Sequence, residues 1–380
     1  MTEFEEIRPY YDHEINAVLR ELAIDPQFIK IVSTLYTQPG ATEQILQMMT
    51  KVDTIDQFQK DIVVPLLKKI MHSTTDGISY SAMEQFHPEE SYLFISNHRD
   101  IILDSAFFNV IMHEHGFKKT EIAIGDNLLI FDWIKKLVRI NRSFMVKRNL
   151  SLREQLKASQ TLSAYIRYAI TEKEESIWLA QREGRTKDGN DQTQAALLKM
   201  LNMSNKSSMT DGFKALNIVP MAISYEIEPC GISKVGELLK RKYDPDFTKT
   251  QQDDLHSMAN GVMQPKGRIH FAFGNPLNIK IEELTANKKN NEVIQAIVEY
   301  IDKRIYANYK LWPNNYIAAD LLNKNNLHKK HYTEEERLKF IEQLEKETTS
   351  LQYKKDEAVD MYIRMYANPL FNFEKHFVNE

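Results

Sequence analysis

The chain has 380 residues, 42% of them hydrophobic and 27% charged, with a formal net charge of −4. That length allows one large domain or two to three ordinary ones with a sizeable core, and the acidic balance excludes a general nucleic-acid binder. The single cysteine, Cys230, excludes an internal disulfide framework and a cysteine-rich metal site, fits a reducing compartment, and is expected to be a packed residue rather than a nucleophile.

The opening MTEFEEIRPYYDHE is acidic and has no apolar signal-peptide core. No run of about 18 apolar residues occurs, so no transmembrane helix is expected and any membrane contact would be made from the surface. Residues 1–85 read as a helical domain. Apolar positions recur at three- and four-residue spacings in INAVLRELAIDPQFIKIVSTLYT and IDQFQKDIVVPLLKKIMHST, with breaks at Pro39-Gly40 and Asp76-Gly77.

From about residue 90 short apolar runs alternate with helical stretches. YLFIS, TEIAIG, SFMVKR, SIWLA, NIVPMAISYE and RIHFAFGNPLN read as strands. IILDSAFFNVIMHEHG, LLIFDWIKKLVRIN and LREQLKASQTLSAYIRYAITEKEE read as helices. The expected class is α/β: a mixed sheet flanked by helices over 86–290, with a C-terminal helical extension over 291–380. Within that extension, a Thr-x-x-Glu capping box at Thr333 opens TEEERLKFIEQLEKETTSL. NKNNLHKKHY reads as a connecting loop.

The first chemical signal is SNHRDIILDS, residues 96–105, where a carboxylate interrupts an apolar run. Burying an unpaired charge costs several kcal/mol, on the order of 3–5, so Asp104 demands a partner. His98 is the nearest candidate. A carboxylate can fix a histidine's tautomer and stabilise its imidazolium, and such a pair can activate a hydroxyl. Residues six apart on a helix lie about 120° apart. The two can therefore meet only if His98 precedes the helix and bends back, with Asp100 free to cap it. Two further strand ends carry cations. SFMVKR ends in Lys147 and Arg148, and REGRTKDG places Arg182, Arg185 and Lys187 around Glu183. Each could be a solvated turn, but clustered cations at strand ends suit a phosphate.

In this order the blocks resemble the glycerophospholipid acyltransferase superfamily, which includes glycerol-3-phosphate and 1-acylglycerol-3-phosphate acyltransferases. NHRDIILD resembles its His-plus-Asp motif. INRSFMVKR, preceded by GDNLL, resembles the second block. REGRTKDG resembles the Glu-Gly-x-Arg block, and IVPMAISYE the fourth. The resemblance spans about 90–280. The chain departs from the pattern with five residues rather than four between His98 and Asp104, with Arg182 where Pro is common, and with Arg142 where Gly is common.

The resemblance implies that His98 is the general base and Asp104 its orienting partner, Asp100 being the alternative. Arg99, Arg148, Arg185 and Lys187 would hold an acceptor phosphate, with Glu183 ordering the cations and Gly184 letting the backbone approach. The donor would be an acyl-carrier protein or acyl-CoA thioester, and the acceptor glycerol-3-phosphate or a lysolipid. No cofactor or metal would be needed. The soluble plastid-type enzymes are similar in placing a helical domain first. A cytoplasmic location, peripheral on the inner face of the membrane, would follow.

Segment 128–148 has two readings. It could be a basic, Trp133-bearing interfacial helix for anionic lipid, or a core helix with a basic outer face. Two other functions compete with acyl transfer. One is a metal-dependent hydrolase using His98, Asp100, Asp104, His113 and His115. The other is a non-catalytic lipid- or carrier-binding protein of the same fold.

Overall fold

A computed structural model of the chain describes residues 4–377. Its seven strands are β1 (Ile78–Ser81), β2 (Leu93–Ser96), β3 (Glu121–Gly125), β4 (Ser143–Val146), β5 (Ile177–Ala180), β6 (Ile218–Tyr225) and β7 (Ile269–Phe273). They form one sheet in the order β1-β7-β6-β2-β5-β3-β4. Only β6 and β7 are antiparallel, so β1 and β7 run against the other five. The expected mixed α/β sheet forms, and all six strands read from the sequence are present. The strand that sequence reading misses is β1. Its Ile-Ser-Tyr-Ser is mostly exposed at the sheet edge and has no apolar run. Its two serine hydroxyls instead meet the His270 ring, at 2.8 Å and 3.0 Å.

Alternation along the strands makes the two faces. Leu93, Ile95, Ile177 and Leu179 point into one apolar layer with Ile166 and Ile170 of helix Leu152–Thr171 and Ile297 and Ile301 of helix Asn290–Ala307. Phe94, Trp178 and Ile223 point the other way, onto Phe107, Phe108 and Ile111 of helix Leu103–Glu114. Burying each large apolar side chain contributes about 1.5–3 kcal/mol, so both layers are needed. β6 lies between β2 and β7, and all eight of its residues are buried. The segment expected as a C-terminal extension thus contributes its first helix to the sheet's own core. Residues 78–81 of the expected N-terminal domain likewise enter the sheet.

Two helical clusters flank this body. Helices Asp12–Ile24, Pro26–Leu35 and Ala41–Met49 bury Leu19, Leu22, Phe28 and Val32 together. Asp25 caps the second helix by accepting from the Gln27 and Phe28 amides, both at 2.9 Å. Gly40, at φ +76°, makes the expected break. At the other end, Gly231–Tyr243, Pro313–Asn323, Glu334–Thr349 and Lys355–Phe377 pack around Leu239, Phe340, Tyr362 and Tyr366. The capping box at Thr333 forms, with its amide donating to Glu336 at 2.7 Å.

Over helix 132–140, segment 128–148 fits the second of its two readings. Helix Asp132–Ile140 lays Trp133, Leu137 and Ile140 into the N-terminal cluster. Two of its three cations are engaged too. Lys136 pairs with Glu21 at 2.8 Å and Asp132 at 2.5 Å. Arg139 donates to the Arg8 carbonyl and stacks over Tyr10. An apolar face spent on the protein's own core is not available to lipid, so this is a core helix with a basic outer face.

Candidate active site

The parallel strands β2, β4, β5 and β6 bring their C-terminal ends to one edge of the sheet, where the residues singled out in the sequence converge. Asn97 extends β2 by one more rung. Its side chain donates to the Ile223 carbonyl at 2.9 Å and accepts from the Ile223 amide at 2.8 Å, as a strand backbone would. The chain then turns. The His98 carbonyl accepts from the Thr186 amide at 3.0 Å, and buried Lys234 donates to the Arg99 carbonyl at 2.7 Å.

This loop folds back onto the first turn of helix 103–114. Asp104 Oδ2 accepts from His98 Nδ1 at 2.7 Å, from the Arg99 amide at 2.6 Å and from the Asp100 amide at 3.0 Å. Its Oδ1 accepts from the Tyr225 hydroxyl at 2.8 Å. The one-residue-longer spacing therefore still lets the pair meet, because two loop amides close on the same carboxylate. Burial pushes the Asp104 carboxyl up, but the His98 bond, the Arg99 amide and the Tyr225 hydroxyl outweigh it and hold the group below the ordinary aspartate range. An ionised Asp104 only accepts, so His98 Nδ1 carries the proton and Nε2 keeps a lone pair. The ring stands edge-on to Trp178, with centroids 5.4 Å apart.

Asp100 is built for another task. Its Oδ1 accepts from the Ile102 and Leu103 amides at 2.9 Å and 2.8 Å, capping the helix start. Its Oδ2 is buried with no partner among the described residues. Burial, then the charge of Asp104, pushes this carboxyl up, while the two amides oppose the shift. The two neighbouring aspartates are thus driven in opposite directions.

Helix Gln251–Met263 roofs this region. A Cβ on Gly261 would come within 2.2 Å of Asp100 Oδ2, so only glycine lets the helix seat. The Cys230 thiol donates to the Ser257 carbonyl of the same helix at 3.2 Å, and burial pushes the thiol up. Cys230 is packed, as expected.

The cation positions divide. Arg99 is buried, with its guanidinium on Asp191 at 2.5 Å and Glu228 at 3.4 Å. Lys187 meets Glu237 at 2.5 Å; burial lowers its ammonium and Glu237 offsets part of that. Arg148 reaches Glu183 at 2.9 Å, and its amide donates to Asp126 of the GDNLL stretch at 2.9 Å. Gly184 sits at φ +69° and is exposed, with open space around it. Arg185 is buried, with its Nη1 unpartnered among the described residues. Arg142, where the resembled family has Gly, takes φ +61°, a region that costs a side-chain-bearing residue about 1 kcal/mol or more. Its ion pair with Glu175 opposes that strain.

Residues 77–224 match the family model described as Acyltransferase. The matched stretch is 148 of the chain's 380 residues and runs from β1 almost to the end of β6. No curated protein sequence matches the chain. Among solved structures, it is similar to the 1-acyl-sn-glycerophosphate (LPA) acyltransferase PlsC from Thermotoga maritima. The identity is 9%, covering 75% of this chain and 92% of that one, at a TM-score of 0.36. It is also similar to chloroplast FtsY from Physcomitrella patens at 12% identity, covering 79% and 97%, with a TM-score of 0.20.

The stretch that matches the family model contains His98, Asp104, Arg148 and the 182–187 loop, and stops one residue short of Tyr225. His113 and His115 sit at the far end of helix 103–114, roughly 13 Å and roughly 16 Å from Asp104 by helical rise. There His115 meets Tyr80 at 2.7 Å. The ligand set of the hydrolase reading is therefore not brought together. Among the described residues, no helix is long and apolar enough to cross a membrane.

Proposed function

We propose that the enzyme moves a fatty acyl group from an acyl thioester, on acyl-carrier protein or coenzyme A, to a hydroxyl of glycerol-3-phosphate or 1-acylglycerol-3-phosphate. The observation that carries this reading is the buried Asp104 holding His98 Nδ1 at 2.7 Å, which leaves Nε2 as a base. In this reading Nε2 takes the acceptor hydroxyl proton as the oxygen attacks the thioester carbonyl. The tetrahedral adduct collapses to the ester, and the departing thiolate takes the proton from the imidazolium. No acyl-enzyme forms, so no nucleophilic Ser or Cys is required.

Arg148 and Arg185 are the cations assigned to the acceptor phosphate. Arg185 is the stronger candidate, because a buried guanidinium nitrogen without a partner is costly until an anion supplies one. Glu183 orders Arg148, and Gly184 gives the loop its left-handed turn. Arg99 and Lys187 are assigned to holding the loops, since each already faces a carboxylate. Arg148→Ala and Arg185→Ala are each expected to weaken use of the phosphorylated acceptor by about 1.5–3 kcal/mol. Steady-state kinetics with varied acceptor check this, and unchanged kcat/KM in both variants would sink the assignment.

A peripheral lipid contact is assigned to the start of helix 152–171 rather than to 132–140. Every residue from 151 to 157 is exposed, and Leu152 and Leu156 are 87% and 52% exposed. These leucines share one face, and Arg153 and Lys157 lie alongside. The helix begins just beyond Arg148, so the apolar tip stands beside the site. Leu152→Ser with Leu156→Ser should lower cosedimentation with anionic vesicles by about tenfold or more, given about 1.5–3 kcal/mol per buried leucine. Vesicle binding equal to the parent's would contradict the assignment.

A further inference from the structure

Asp104 is fully buried, and its two oxygens are served unequally. Oδ2 takes the His98 imidazole and two loop amides, whereas Oδ1 takes the Tyr225 hydroxyl at 2.8 Å. Tyr225 is the last residue of β6, 6% exposed, with its ring packed in the layer that holds Phe94 and Trp178. It reaches Asp104 across 121 residues of chain. A carboxylate turns about a broad, roughly two-fold torsion, so either oxygen could be presented to the histidine unless something distinguishes them.

We propose that Tyr225 is the positioning residue of the acyl-transfer base. Its hydroxyl pins Oδ1, so that Oδ2 alone faces His98, and it draws off part of the carboxylate charge. This rests on the reading of His98 as the base. A phenol suits the task because burial, then the charges of Asp104 and Asp100, hold its proton on well above the ordinary tyrosine range. It remains a donor wherever a histidine titrates. The other charges around the trio are Arg99 and Asp100 on the same loop, Arg185 after β5, Glu228 after β6, and Lys266 after the roofing helix. Arg185 and Lys266 act on Asp100, Arg99 acts on Asp104, and Arg99 pairs with Asp191 and Glu228. Tyr225→Phe keeps all of these and removes one hydroxyl.

The test follows the His98 imidazole by NMR titration without substrate, beside the pH profile of kcat. In Tyr225→Phe the carboxylate charge is no longer shared, so the imidazolium is favoured. The His98 midpoint and the acidic limb of kcat should both move to higher pH, with kcat at the plateau falling about tenfold and acceptor KM little changed. Fluorotyrosine placed at 225 keeps the shape, strengthens the donor and should move the midpoint down, so the test holds even if the Phe variant fails to fold. An unmoved midpoint in the fluorotyrosine protein, or a folded Phe variant that loses rate with its limb unmoved, overturns the proposal. If the parent protein transfers no acyl group while the midpoints move as stated, the functional reading fails and the positioning role stands.

Discussion

Replacing His98 with alanine is expected to lower acyl transfer by about 100- to 10,000-fold, the usual contribution of a positioned general base. The loss should appear in kcat, with the fold kept, because Asp104 still accepts from two loop amides and the Tyr225 hydroxyl. The His98 side chain is 13% exposed at the sheet edge, and its main structural bond is to Asp104. The loop does not depend on the imidazole for its path. Thr186 and Lys234 hold the His98 and Arg99 carbonyls, and Asn97 stays paired with β6. Thioester-dependent product formation, with folding followed by circular dichroism, checks both halves.

The two aspartates give the second large effect. Asp104→Asn replaces an acceptor-only group that serves four donors with an amide that has one acceptor oxygen. The best fit leaves that oxygen with the loop amides and turns the NH2 towards Tyr225. His98 then loses the charge that stabilises its imidazolium, and the rate should fall by about 100-fold or more. In Asp100→Asn the amide oxygen can still cap Ile102 and Leu103, and the NH2 takes the place of an oxygen that had no partner. That change should cost about 1 kcal/mol or less of stability and leave turnover within a few-fold. Turnover and thermal unfolding of the two variants side by side decide the matter. Loss of turnover in Asp100→Asn with an active Asp104→Asn would reverse the roles.

The legible parts of the fold were those whose patterns are set locally. Six strands announced themselves as apolar runs because both faces of the central strands are buried, and β6 is the extreme case. The edge strand β1 carried no such signal, since half-exposed Ser and Tyr read as turn residues. The meeting of His98 and Asp104 was legible from one physical demand, a carboxylate in an apolar run. The fate of the cations was not. Arg99 follows His98 directly, yet its guanidinium is claimed by Asp191 and Glu228, 92 and 129 residues away. The roofing helix 251–263 was also missed. Its apolar positions Leu255, Met258 and Val262 form a thin stripe, and its one local signal was the capping box at Thr250. Tyr225 closes an apolar strand and looks like core. Only the tertiary fold sets its hydroxyl on Asp104.

The most direct test of acyl transfer is one assay on purified protein. Labelled acyl-carrier-protein and acyl-CoA thioesters are each offered glycerol-3-phosphate, 1-acylglycerol-3-phosphate and an amino-lipid acceptor, with His98→Ala run in parallel. The account predicts that label passes from a thioester into an ester of one of the two phosphorylated acceptors, and that His98→Ala loses at least about 100-fold of that rate. Transfer undiminished in His98→Ala, or no transfer from either thioester to either phosphorylated acceptor, would contradict it.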